Sequence, residues 1–116
     1  MKNNHYHGWR CRHGARVHVN GRSLPRRLDL RKHSMTGFEW GYSGSGPAQL
    51  ALAILAFEFG DSFAGKHYQD FKREVIAGLG EQWNLGSVYL TEWMLKARAR
   101  SSAALDLGPG REGGEL

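Results

Sequence analysis

The sequence predicts an α+β domain, a small antiparallel sheet of three to four strands packed against about three helices, one of them buried at the centre. Two observations carry that reading. Short segments with two-residue alternation, rich in aromatic and β-branched side chains, crowd the stretch up to Tyr42. Helical signals then take over, beginning with an almost uninterrupted apolar run from Ala48 to Phe59. A run of strands followed by a run of helices is the α+β pattern.

Taken in order, His5 to Cys11 (HYHGWRC) alternates and carries Tyr6 and Trp9, as a strand does. His13-Gly14 turns the chain into a second strand, Arg16 to Val19, with Val17 and Val19 on one face and Arg16 and His18 on the other. Asn20-Gly21 is a strong two-residue hairpin signal, because both positions tolerate φ > 0. Arg22 to Leu24 starts the return strand and Pro25 ends it. Residues 26–36 read as a basic loop with one extended piece at Leu28 to Leu30. Phe38 to Tyr42 reads as a further strand, with Phe38, Trp40 and Tyr42 facing the core.

Ser43 to Gly46 is a glycine turn that delivers Pro47 to the first helical position, where its missing N–H costs nothing. Ala48 to Phe59 is apolar on every side except at Gln49 and Glu58, which predicts a buried helix ending at Gly60. Asp61 or Ser62 can cap a second helix, whose stripe is Ala64, Tyr68, Phe71, Val75 and Leu79. Trp83 falls in the connector, and Ser87 is placed to cap a third helix with Leu90, Trp93, Met94 and Ala97 along one side. The domain is expected to span residues 1–100, with 101–116 a flexible Gly-rich tail.

Charge is unevenly distributed. Residues 1–34 carry +8 and the remainder −3, for the overall +5. A basic first third points to an acidic partner, either an acidic protein surface or nucleic acid. The single cysteine, Cys11, permits no internal disulfide, so a reducing compartment is expected. The start of the chain has no apolar leader, and the apolar run Leu50 to Phe57 is far short of the ~20 residues that span a bilayer. These features lead to the expectation of a cytoplasmic protein with no membrane association.

The segment from Gly37 to Leu55 resembles the signature of a family of small bacterial and bacteriophage proteins known only as a domain of unknown function. The pattern G-F-x-W-G-Y-x-G-S-G-P-A-x-L-A-L-x-I-L falls on Gly37, Phe38, Trp40, Gly41, Tyr42, Gly44, Ser45, Gly46, Pro47, Ala48, Leu50, Ala51, Leu52, Ile54 and Leu55. A second landmark, Y-Q-x-F-K, falls on Tyr68, Gln69, Phe71 and Lys72, and a tryptophan before the last helix is Trp83. The likeness covers about residues 5–97 and departs in the Arg- and His-rich first third and the Gly-rich tail. It implies a bacterial host cell and a phage or mobile-element source, and it brings no assigned activity.

The candidate binding residues form two groups. Arg10, Arg12, Arg16, Arg22, Arg26 and Arg27 supply the cationic surface. Ser43, Gly44, Ser45 and Gly46 lead into a helix N-terminus, whose free N–H groups can hold a phosphate or carboxylate. That loop lacks the lysine of a P-loop and the G-x-G-x-x-G spacing, and its glycines serve equally to let the chain turn tightly onto a packed helix. Five of the six histidines lie in the first 33 residues, and His5 and His7 share a strand face without a third metal ligand at useful spacing. His67, Asp70 and Glu74 share one side of the second helix, as an acid–base group or an ordinary solvated face would. Trp40, Tyr42, Trp83 and Trp93 can stack bases, though a domain of this size needs them in its core.

No catalytic residue, cofactor or metal ion is assigned. The leading expectation is a non-enzymatic phage or mobile-element accessory protein acting by steric occlusion, in the manner of an inhibitor of a defence complex such as CRISPR. An inhibitor that imitates DNA would be acidic, so DNA mimicry is disfavoured. The alternatives are a nucleic-acid-binding module using the arginine-rich strands, and a nucleotide or small-anion binder at the glycine loop.

Overall fold

A computed structural model describes residues 2–106. The elements run β1 (His5–Cys11), β2 (Gly14–Val19), β3 (Arg22–Ser23), α1 (Ser45–Phe59), α2 (Asp61–Glu74), β4 (Trp83–Gly86) and α3 (Ser87–Asp106), with a 3-10 turn at Ile76–Gly78. The strands form one antiparallel sheet ordered β3-β2-β1-β4, so the α+β architecture is as the sequence predicts. Asn20 (φ 53°) and Gly21 (φ 82°) both take the left-handed conformation that a tight hairpin requires.

Register decides which side chains meet. Tyr6 lies opposite Val19 and Leu85, and Gly8 lies opposite Val17 and Trp83. These six share the inner face and are buried. An ideal Cβ at Gly8 would sit 2.3 Å from Trp83 Cε2, so the glycine is what lets the indole lie flat on β1. Trp83 in turn meets Trp40 edge-on, with ring centroids 5.5 Å apart.

Helix α1 fills the space beneath this face. Leu50, Leu52, Ile54 and Leu55 are fully buried, each contributing roughly 1.5–3 kcal/mol of transfer free energy. Its two polar exceptions are also buried, and each tethers a different segment. Gln49 accepts from the N–H groups of His33 (2.8 Å) and Ser34 (3.2 Å) and donates to the Arg26 carbonyl (2.7 Å), pinning the basic loop at both ends. Glu58 Oε1 accepts from the Tyr6 hydroxyl (2.7 Å) and Asn4 Nδ2 (3.0 Å), pinning the start of β1.

Four local expectations are corrected. Phe38 to Tyr42 is irregular loop: Gly41 at φ 85° breaks the alternation, leaving Trp40 buried and Tyr42 51% exposed. Leu28 to Leu30 is a turn rather than an extended piece, closed by the Leu30 N–H on the Arg27 carbonyl. The connector that holds Trp83 contains β4, an edge strand defined by pairing to β1. Neither predicted cap forms. Gly60, with no side chain, is the N-cap of α2, and the Ser87 hydroxyl accepts from the Asn4 N–H across the sheet edge. Helix α3 runs through Asp106, so residues 101–106 are helical, and the rest of the stretch expected to be a tail lies outside the described residues. No helix among the described residues is long and apolar enough to cross a membrane.

Candidate nucleic-acid interface on the open sheet face

Because side chains alternate along a strand, burying Tyr6, Val17 and Val19 sends their neighbours to the opposite side. There β1 presents His5, His7 and Trp9, and β2 presents Arg16 and His18, with His7 opposite His18 and Trp9 opposite Arg16. No described helix covers this face: His5, Arg16 and Asn84 are exposed, and His7, Trp9 and His18 are half-buried. The rings form a continuous row. His5 and His7 stack at 6.4 Å with planes 10° apart, and His7 and Trp9 at 5.0 Å and 18°. His18 meets Trp9 edge-on at 4.9 Å.

Two open cavities share His7 and Trp9 in their walls. One, of about 380 Å³, adds His5, His18 and Asn84; the other, of about 390 Å³, adds Arg10, Glu81 and Gln82. None of the paired positions on this face is a carboxylate. The arrangement offers flat π surfaces with the Arg16 cation on the same face and Glu81 at the rim of the second cavity; aromatic faces beside a cation are the elements that hold single-stranded nucleic acid without base-specific contacts.

The structure divides the six candidate arginines. Arg12, Arg16 and Arg22 are exposed on the β1–β2–β3 hairpins and form no ion pair among the described residues. Arg10 points inward, its guanidinium 4.5 Å from the Trp40 ring, donating to the Trp40 carbonyl (3.2 Å) and to Glu39. Arg27 forks between Asp29 and Asp61 at 2.9–3.0 Å, fastening the basic loop to the start of α2. Its hydrogen bonds hold both carboxyl groups below the usual range. Arg26 donates to the Met35 carbonyl. Three of the six are therefore structural ties.

The glycine loop has a packing explanation. A Cβ at Gly46 would lie 2.6 Å from Glu39 Cβ, and one at Gly44 would lie 2.7 Å from the Tyr42 ring. Ser43 and Ser45 are exposed, Ser45 beside a polar cavity of about 280 Å³ that Glu39 also lines. A carboxylate there opposes an incoming anion, and Pro47 offers no N–H.

The remaining candidates separate as well. Trp40, Trp83 and Trp93 belong to the core, and only Tyr42 is exposed. His67 is buried against Phe63, at 4.4 Å between ring centroids, so it does not share a solvated face with Asp70 and Glu74. Asp70 pairs with Arg73, while Glu74 pairs with Arg100 and accepts from Trp93 Nε1. Among the described residues no group of three or more His, Cys, Asp or Glu is placed to hold a metal ion. Sequence reasoning missed Trp9 as a ring of the open face, although the parity that exposes it is set by inward-facing Tyr6 and Gly8 just before it.

No curated protein and no solved structure matches the chain. The model of a family of unknown function, DUF6166, matches residues 6–96, from the first inward-facing residue of β1 to the middle of α3. The chain belongs to that family.

Proposed function

We propose that this domain acts by binding, and that its open sheet face holds single-stranded nucleic acid. The observation that carries the reading is the uncovered ring row His5–His7–Trp9 with His18 beside it and Arg16 on the same face, while Arg12 in the β1–β2 turn and Arg22 on the edge strand, opposite inward-facing Val19, are exposed at the margins of the sheet. Bases extend or edge against the row while the three arginines neutralise phosphates. With about three phosphates engaged, log K falls with log salt at a slope of about −2 for a single strand.

The family resemblance supplies the setting for this proposal, a phage or mobile-element accessory protein in the bacterial cytoplasm. There, occlusion of nucleic acid, or of an acidic surface on a defence complex, would follow from the same basic face. Fluorescence anisotropy with a labelled 12-nucleotide strand, titrated at several salt concentrations, tests the reading. Trp9→Ala is expected to weaken binding by roughly 1–3 kcal/mol, and Arg12→Gln/Arg16→Gln/Arg22→Gln to flatten the salt slope by about 2. Absent binding at low salt, or binding that ignores both variants, refutes it.

A further inference from the structure

We propose that the cavity between α2 and α3 is a separate binding site for a small organic anion that joins an apolar body to one carboxylate or phosphate. The cavity measures about 460 Å³, within the ordinary range for small-molecule sites, and lies on the helical side of the molecule. Its apolar wall is aromatic: Phe59 and Phe63 meet at 5.1 Å, and Phe63 lies 4.4 Å from the buried His67. Among the described residues its charged groups are Lys66 from α2 and Arg98 from α3, and no described carboxylate lines it.

The balance of charge around the cavity leaves these cations unspent. Every carboxylate of α2 is engaged elsewhere: Asp61 by Arg27, Asp70 by Arg73 and Glu74 by Arg100. Among the described residues Arg98 forms no ion pair and hydrogen-bonds to the Met94 sulfur, at 3.9 Å, and Lys66 forms no ion pair either. Ser62, Ser101 and Ser102 supply hydroxyls to the lining. Ser62 and Phe63 also sit in the first turn of α2, where N–H groups are free and Gly60 brings no capping side chain. Two cations, three hydroxyls and a helix start against a phenylalanine wall match an amphiphilic anion and mismatch both a neutral apolar molecule and a bare inorganic ion.

His67 reports on occupancy. Burial holds its pKa below the ordinary value; Asp70 opposes that effect, while Lys66, Arg100 and Arg98 reinforce it. An anion between Lys66 and Arg98 offsets those charges, so its binding raises the His67 pKa and draws in protons.

The test uses 1-naphthyl phosphate, with 1-naphthol and inorganic phosphate as single-feature probes, in titration calorimetry and histidine NMR on the full chain. Saturable binding of 1-naphthyl phosphate is expected, tighter than either single-feature probe, with the His67 resonances moving and its titration shifted upward. Lys66→Gln/Arg98→Gln is expected to weaken binding by about tenfold or more at unchanged melting temperature. Trp9→Ala, on the opposite side of the molecule, is expected to leave it unchanged. The proposal is overturned by absent saturation, by still His67 resonances, by a charge variant within twofold of wild type, or by loss of binding in Trp9→Ala.

Discussion

Among the described glycines, Gly8 leaves the least room for a side chain, because the Trp83 indole lies against its backbone, and that packing can be tested with one methyl group. In Gly8→Ala the new Cβ would lie 2.3, 2.4 and 2.5 Å from three atoms of the indole. The ring has little room to retreat: it is 5% exposed and meets Trp40 edge-on, while Trp40 donates its own Nε1–H to the Gly80 carbonyl at 2.7 Å. Either β4 shifts away from β1 or both tryptophans repack, and overpacking of that kind costs roughly 1–3 kcal/mol. For a domain of this size the fall in melting temperature is about 5–20 °C. Gly65→Ala is the matched control. Gly65 lies inside α2 with nothing within 4 Å of a Cβ, so there the same methyl group is expected to stabilise by roughly 0.5–1 kcal/mol. Urea denaturation of both variants gives the answer. A Gly8→Ala protein within about 0.5 kcal/mol of wild type, the range of neutral surface changes, would refute the packing argument.

Other expectations follow from the buried polar groups and the ion pairs. Gln49→Ala removes the acceptor of two backbone N–H groups and a donor to a carbonyl, so a loss of roughly 2–4 kcal/mol is expected. Trypsin should then cut faster at Arg26, Arg27, Arg31 and Lys32, and an unchanged cleavage rate would show that the loop is held otherwise. Burial, reinforced by Glu58, pushes the Tyr6 hydroxyl pKa far above its ordinary value of 10.0. The folded state thus keeps a proton that the unfolded chain releases, so this stabilisation is complete below pH ~10 and is lost as the pH climbs above it. Tyr6→Phe should lessen the alkaline destabilisation seen in melts between pH 9 and 11 while costing roughly 1–3 kcal/mol at neutral pH. At the acid end, Arg27 depresses Asp29 and Asp61, and Arg100 depresses Glu74. Their contribution is present above the unfolded carboxylate range and is lost as the pH falls through it towards the folded values. Arg27→Gln should therefore make the acid limb of stability against pH shallower, and an unaltered limb would count against the fork.

Where local chemistry alone decides structure, the sequence was readable. The Asn20-Gly21 hairpin needs two left-handed residues, and the helix Ala48 to Phe59 announces its burial by lacking a polar side. Where a partner distant in sequence decides, it was not. Trp83 to Gly86 is a strand only because β1 offers an unpaired edge, and four residues carry too little periodicity to show that. Phe38 to Tyr42 failed in the opposite sense, since its aromatic alternation suits a strand but Gly41, bonded through its N–H to Ile76, turns Tyr42 outward. The arginine group was legible as charge but not as six separate fates. Arg10 and Arg27 find Glu39 and Asp61, which lie 29 and 34 residues away along the chain.

The open face follows from how α1 is used. A helix buried on nearly every side must touch the sheet, the basic loop and α2 together, and that consumes the apolar surface of the domain on one side of the sheet. Solvation alone would fill the other side with short polar and mixed-charge residues, which balance one another and resist association. Instead it carries an indole, three imidazoles and an arginine, with no carboxylate at the paired positions. Rings held parallel at 5.0 and 6.4 Å keep apolar area exposed to water, at a free-energy cost that the fold itself does not recover. Glu58, itself held by Asn4, bonds the Tyr6 hydroxyl from below, and the Trp83 indole lies on Gly8, so the two residues that set the parity of β1 are both anchored to the core. Under the proposed function, that anchoring of β1 would lower the entropy lost when a planar ligand stacks on the row of rings.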